Sequence, residues 1–214
     1  MKFKLACESS GIVIGSRQLE RFVTYQKELS RWNKKINLIS RSSDSPEQIF
    51  RHILDSLLIF KAVALPTGAE ILDYGSGAGF PGIPIKIVRE DVSVTLLESK
   101  KKKSIFLEEM LKTLNLKKAE VVRGRAEDLT GSFEFSRRYD VVTAKAVGKL
   151  VDVTSLALPF LKTGGLLVAY KGKYSKEETD ELSTPGKFQV YEVASFEISE
   201  YSLTRSLVVI KRMQ

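Results

Sequence analysis

The sequence predicts an α/β fold: a doubly wound, mostly parallel sheet of seven strands that ends in an antiparallel hairpin, preceded by a helical cap. Three observations carry that expectation. From residue 70 onward, short apolar or β-branched runs alternate with segments of helical period, which is how strands buried on both faces and crossed over by helices look in sequence. Four glycines, at 75, 77, 79 and 82, punctuate the turn after the first of these runs. The chain then closes on two strand-like runs whose connection is too short for a crossover helix, so they pair antiparallel.

The cap comes first. Leu19, Phe22, Leu29, Trp32 and Ile36 recur at helical spacing. A polar break at residues 41–46 follows, and Ile49, Ile53, Leu57 and Phe60 resume the stripe. Ser45 before Pro46 is a helix start: a side-chain cap, then proline in the first turn. The proline and glycine of Leu65-Pro-Thr-Gly-Ala69 punctuate the chain, dividing a cap over residues 1–65 from a core over residues 66–214.

In the core, residues 71–74 form a strand and residues 82–89 a helix. Strand 92–97 ends at Glu98, and an amphipathic helix spans 100–116 with Ile105, Phe106, Met110, Leu111 and Leu114 as its buried stripe. Val121 and Val122 give a short strand leading into Arg123-Gly-Arg-Ala-Glu-Asp128. Residues 139–143 are a strand, 150–161 a helix, and Gly164-Gly165 introduces the strand 166–170. The closing hairpin pairs 188–196 with 203–210.

Bulk properties narrow the function. A length of 214 residues with 43% hydrophobic content suits one globular unit. A net charge of +8 favours an anionic partner, nucleic acid or a phosphorylated substrate. A single cysteine, Cys7, excludes an internal disulfide, and with one histidine, His52, it leaves no expected metal site or Ser-His-Asp triad. The first residues lack the apolar stretch of a signal peptide, and no apolar run approaches a membrane span. A cytoplasmic protein without membrane attachment is expected.

The glycine turn is a cofactor loop: glycine permits positive φ and close approach of a ligand to the main chain, and a following helix would offer free N–H groups. Gly77-x-Gly79-x-x-Gly82 formally matches the dinucleotide fingerprint. Against that reading, Asp73 before the turn would repel phosphates, yet it suits the cationic amino-acid end of S-adenosylmethionine. Glu98, ending the second strand, is placed to accept from two ribose hydroxyls, but its spacing serves either cofactor. Asp140, opening the fourth strand, and the terminal hairpin favour S-adenosylmethionine, with NAD left open. No Gly-Lys-Ser/Thr closes the loop, so a P-loop is excluded.

Residues 73–82, Asp-Tyr-Gly-Ser-Gly-Ala-Gly-Phe-Pro-Gly, resemble the signature of the glucose-inhibited division protein B family, bacterial methyltransferases of guanine N7 in 16S ribosomal RNA. Trp32-Asn33 with Asn37-Leu38, Arg51-His-Ile-Leu-Asp-Ser56, Arg125-Ala-Glu-Asp128, Lys171-Gly172 and the ending from Arg205 to Lys211 agree. The resemblance implies a class I, Rossmann-like methyltransferase fold with S-adenosylmethionine as methyl donor, S-adenosylhomocysteine as product and no metal. It implies cofactor contacts from Gly75 and Phe80, with Ala126 and Glu127 on the adenine side; Asp73, Gly77, Gly79 and Glu98 complete the set. Lys145 stands where the family usually has arginine. The charge is kept without the planar fork, and Lys145 is a candidate cofactor contact or positioning residue.

Methylation at N7 uses a free lone pair, so no acid, base or nucleophile is assigned. The absence of a thiolate near the loop and of an Asn- or Asp-Pro-Pro-aromatic motif after the fourth strand points away from pyrimidine-carbon and exocyclic-amine methylation. For 16S ribosomal RNA or the small subunit as partner, phosphate contacts are expected from Lys101, Lys102, Arg123, Arg125 and Lys171. Lys100, Lys103, Lys117, Lys118, Arg137, Arg138 and Lys173 are further candidates. His52, Asp55 and Ser56 read as structural, Trp32 and Phe22 as core, and a monomer is expected. The alternatives are a small-molecule or protein methyltransferase on this fold, and an RNA-binding or assembly protein without turnover.

Overall fold

The computed structural model describes residues 2–146, 148–172, 174–182 and 186–214. Helices α1 (Lys2–Ser9), α2 (Ser16–Asn33), α3 (Pro46–Leu57) and α4 (Ile59–Ala62) precede the sheet. It is built from β1 (Glu70–Tyr74), β2 (Ser93–Glu98), β3 (Ala119–Arg123), β4 (Tyr139–Lys145), β5 (Leu161–Lys171), β6 (Phe188–Ile198) and β7 (Leu203–Arg212). The connecting helices are α5 (Gly82–Val88), α6 (Lys101–Thr113), α7 (Ala126–Leu129), α8 (Leu150–Ala157) and α9 (Lys176–Asp180). Strand order is β3-β2-β1-β4-β5-β7-β6. The first five strands run parallel, and β7 is antiparallel to both β5 and β6.

This order fixes where a ligand can enter. The chain crosses from β1 to β2 on one side, then returns to lay β4 on the other side of β1. The crevice therefore opens at the carboxyl ends of β1 and β4.

Alternation along each strand divides the core. Ile71, Val141, Val168 and Val209 point to the face covered by α1 to α6, and Leu72, Val142, Leu167 and Val208 to the face covered by α8. Phe3, Phe22, Leu29 and Ile53 of the first three helices belong to the same hydrophobic cluster as Ile71, Ile83 and Leu96. Cap and sheet thus share one core, and the punctuation at residues 65–69 marks a change of sequence pattern without dividing it. Helix α3 starts as read, with Ser45 Oγ accepting from the Gln48 N–H at 3.2 Å and Pro46 in the first turn.

The structure adds the short helices α7 and α9 and ends the helix read over 150–161 at Ala157, with Leu161 already in β5; α1 and β5 differ most. Helix α1 is too short and too polar to stand out by period, yet Phe3 stacks on Phe50 at 4.8 Å and meets Phe22 edge-on at 5.5 Å. Gly164 and Gly165 lie inside β5 rather than before it. There the register shifts between Tyr139 and Val141, and a β-carbon at Gly165 would sit 2.9 Å from the Lys162 carbonyl oxygen. Glycine answers a close backbone approach at an irregular strand.

Candidate active site

The turn after β1 is held from three directions. Gly75, Gly77 and Gly79 have φ of 71°, 57° and 92°, a region that L side chains resist. The Ser76 N–H donates to the Leu97 carbonyl at 3.0 Å, and the Gly79 and Phe80 N–H groups donate to the Ser76 carbonyl at 2.7 and 3.1 Å. Tyr25 of α2, wholly buried, donates its hydroxyl to the Ala78 carbonyl at 2.5 Å. A β-carbon at Gly79 would lie 3.0 Å from that hydroxyl. Tyr25 fits the stripe of Phe22 and Leu29, so its burial is legible in sequence; the partner of its hydroxyl is not.

Asp73 occupies a different place from the one the sequence suggests. Its carboxylate is fully buried, accepting from the Gly82 N–H at 3.1 Å and from the Thr143 hydroxyl at 3.0 Å. It clamps the end of β1 to the start of α5 and to β4, beneath the loop rather than open to a ligand's ammonium. The same bonds close the helix end expected to offer free donors: the Gly82 N–H is engaged, and the Ile83 N–H donates to the Gly79 carbonyl at 2.9 Å.

Burial lifts the Asp73 pKa to about 6 from 3.8, against the pull of its hydrogen bonds to Thr143 and Gly82. A carboxyl whose folded pKa is raised contributes stability that is full below its unfolded pKa and lost as pH rises through 6. Wild type should therefore lose stability relative to Asp73→Asn between pH 4 and 7. At 1.36 kcal/mol per unit the loss approaches about 3 kcal/mol. Denaturant unfolding of both proteins across that range checks this, and a pH-independent difference would contradict it.

Beside the loop lies a cavity of about 250 Å³ that gathers Gly75, Glu98, Ala126 and Glu127 with Tyr74, Leu97 and Arg125. The Glu98 oxygens accept from the Gly77 N–H at 3.0 Å and the Lys100 N–H at 2.8 Å. A carboxylate oxygen has a second lone pair, so both retain capacity for hydroxyl donors. Leu97 and Ala126 give apolar walls and Glu127 an exposed polar rim. A positive-φ backbone, apolar walls and a part-satisfied carboxylate fit the adenosine end of S-adenosylmethionine. A second cavity, about 270 Å³, lies at the ends of β4 and β5, between Ala144, Leu150, Ala169 and Tyr170.

Phe80 faces the cap. Its ring lies 5.5 Å from those of both Tyr25 and His52 and is mostly buried, so its side chain forms the joint between cap and loop. The His52 pKa falls to about 4 because burial, and then the nearby Lys145 charge, disfavour its cation. Lys145 is engaged rather than free. Its ammonium is 2.8 Å from Asp55 Oδ2 and stands over the rings of Phe80 and Tyr170 at 5.0 and 6.0 Å. Arg205 donates from Nε to the other Asp55 oxygen at 2.7 Å. Neither Asp55 nor Arg205 stands out by spacing, because they meet across 150 residues of chain.

The parallel strands also sort the basic residues. Lys101, Lys102, Arg123 and Arg125 are exposed at the carboxyl-end rim, after β2 and β3. Lys171 ends β5 on the same rim, paired with Glu178 at 2.6 Å. Lys117 and Lys118 precede β3, and Arg137 and Arg138 precede β4, on the opposite rim. There Arg138 pairs with Glu70 and Glu120 at 3.1 and 3.4 Å, so these four leave the set of site-side candidates. Asp140 sits on that far rim too, accepting from the Glu70 N–H at 2.9 Å and pairing with Lys162; it cannot inform the choice of cofactor. Lys173 lies outside the described residues. Among the described residues no helix is long and apolar enough to cross a membrane, and no three His, Cys, Asp or Glu side chains group as a metal site would require.

A five-strand parallel sheet closed by an antiparallel hairpin, with a glycine loop after β1 and a carboxylate ending β2, defines a class I methyltransferase fold. M. jannaschii TYW2 in complex with AdoMet shares it, with a TM-score of 0.54 at 17% identity over 74% of each chain. The family model described as GidB, rRNA small subunit methyltransferase G, matches residues 18–208, and the chain belongs to that family. A Clostridium botulinum (strain Loch Maree / Type A3) protein named ribosomal RNA small subunit methyltransferase G is 35% identical over 213 residues, 98% of this chain and 88% of that one. A Clostridium tetani protein of the same name is 36% identical over 214 residues, with the same coverage.

Proposed function

We propose that this protein transfers a methyl group from S-adenosylmethionine to N7 of a guanosine in 16S ribosomal RNA. Membership of the small-subunit methyltransferase G family supports the reaction class. The observation that carries the site is the cavity joining Gly75, Glu98, Ala126 and Glu127 at the carboxyl ends of β1, β2 and β3. When bound, S-adenosylmethionine supplies a methyl group already activated on sulfur.

The protein's own contribution is then binding and alignment. Glu98 would accept from ribose hydroxyls, Leu97 and Ala126 would flank the base, and the Gly75 backbone would admit the ligand closely. Asp73, Gly77 and Gly79 shape the loop from within, and Lys145 stands at the end of β4. No residue has to move a proton, since N7 presents a lone pair. His52, held neutral against Phe80, fits a chemistry without a general base. The reading further takes the protein to be cytoplasmic and monomeric, with S-adenosylhomocysteine as its product.

Lys101, Lys102, Arg123, Arg125 and Lys171 form a cationic rim for RNA phosphates. Affinity for 16S RNA should fall with salt at a log–log slope of about −3.5, given roughly 0.7 per neutralised phosphate on single strands. Fluorescence anisotropy across salt concentrations checks it, and a flat response would contradict phosphate-led binding. The function itself is tested by mass spectrometry of 16S RNA from cells lacking the gene. One N7-methylguanosine should disappear, and an unchanged nucleoside profile would overturn the proposal.

A further inference from the structure

We propose that Asp55 is a positioning residue for this reaction, fixing Lys145 at the acceptor side of the site and tying it to the cap. The proposal rests on the methyl-transfer reading above. Asp55 projects from α3 with its side chain 1% exposed, and its two oxygens face cations from different strands, Lys145 of β4 and Arg205 of β7. A buried ion pair adds little net stability, so stability alone does not account for a three-charge cluster at the carboxyl-end rim. A lysine stem has four rotatable bonds and no shape of its own, and here the ammonium is held by several neighbours while the side chain stays 11% exposed. Asp55 is in front of it, the Phe80 and Tyr170 rings flank it, and the His52 carbonyl and Ser56 hydroxyl are 3.3 and 3.4 Å away. Tyr170 is itself fixed, donating to the Ser56 carbonyl at 2.7 Å.

The groups facing Lys145 are Asp55 and His52 from α3, Asp73 from β1, Tyr170 from β5 and Arg205 from β7. Burial lowers the Lys145 pKa, with Arg205 adding to that, while Asp55 and then Asp73 hold it up. Asp55 thus keeps the ammonium both in place and charged. Guanine offers O6 beside N7 on one edge, so a fixed ammonium donor on the acceptor side can orient the base while leaving the N7 lone pair free.

The test is steady-state kinetics on 16S RNA for Asp55→Asn, Lys145→Gln and the double variant. Asp55→Asn should lower kcat about 100-fold, the scale of a misplaced reacting group, with KM for RNA little changed. In the Lys145→Gln background it should lower kcat no further, because the two act as one unit. The alkaline limb of its pH–rate profile should move to lower pH. The Lys145 ε-carbon NMR titration in the free protein should move the same way, without any substrate. If unpaired cations impair folding of Asp55→Asn, the Asp55→Asn, Arg205→Gln variant removes the second one and is measured alike. Additive kcat losses, or an unmoved pH profile and Lys145 titration in a folded variant, would overturn the proposal. A wild-type enzyme that methylates no RNA would overturn the functional reading instead.

Discussion

Gly75→Val is expected to weaken S-adenosylmethionine binding by more than about 100-fold while the protein remains folded. Gly75 has φ 71° and borders the cavity shared with Glu98 and Ala126. A β-branched residue held in that region costs on the order of 1–3 kcal/mol. The loop it would displace lines a space of only about 250 Å³. For a chain of this length the backbone strain lowers the melting temperature by roughly 2–12 °C, at roughly 2–4 °C per kcal/mol. The loss of binding follows from the displaced loop. Calorimetry with the cofactor, beside circular dichroism melts, separates the two effects. Retained affinity in a folded variant would place the cofactor elsewhere.

Lys145→Ala should reduce turnover about 100-fold with cofactor affinity within about threefold of wild type, since the change removes alignment rather than the adenosine cavity. The stability loss should be modest, about 1–3 kcal/mol, because the buried Asp55 keeps Arg205 as a partner. Lys145→Arg keeps the charge on a differently shaped head group, so its turnover should stay within about tenfold of wild type. Single-turnover kinetics and equilibrium unfolding of both variants check this. Full activity of Lys145→Ala would reduce the cluster to a structural one.

How far the site is legible in sequence depends on whether local pattern or tertiary partner decides each residue. Alternation of runs and the short final connection suffice for the seven strands and their directions, because both are local signals. Glycine spacing and the strand-ending Glu98 mark Gly75 and Glu98, the family resemblance marks Ala126 and Glu127, and the parallel strands bring the four to one cavity at their carboxyl ends. Asp73 shows the limit. Its position before the turn is plain, but the direction of its carboxylate depends on Thr143, 70 residues on. Phe80 turns to the cap because Tyr25 and His52 meet it there, and Lys145 at the end of β4 is captured by Asp55 of α3. The basic residues show the same division: their charge is legible, but strand direction alone separates Arg123 from Arg138.

The central claim is methyl transfer from S-adenosylmethionine to guanine N7 in 16S RNA, and one reconstitution tests it. The purified protein is incubated with methyl-labelled S-adenosylmethionine and with small subunits, or their naked 16S RNA, from cells lacking the gene. The RNA is then digested to nucleosides for mass spectrometry. The account predicts label in N7-methylguanosine, approaching one methyl group per RNA, and lost with Gly75→Val. No label in RNA, or label on ribose, an exocyclic amine or a pyrimidine carbon, would contradict it.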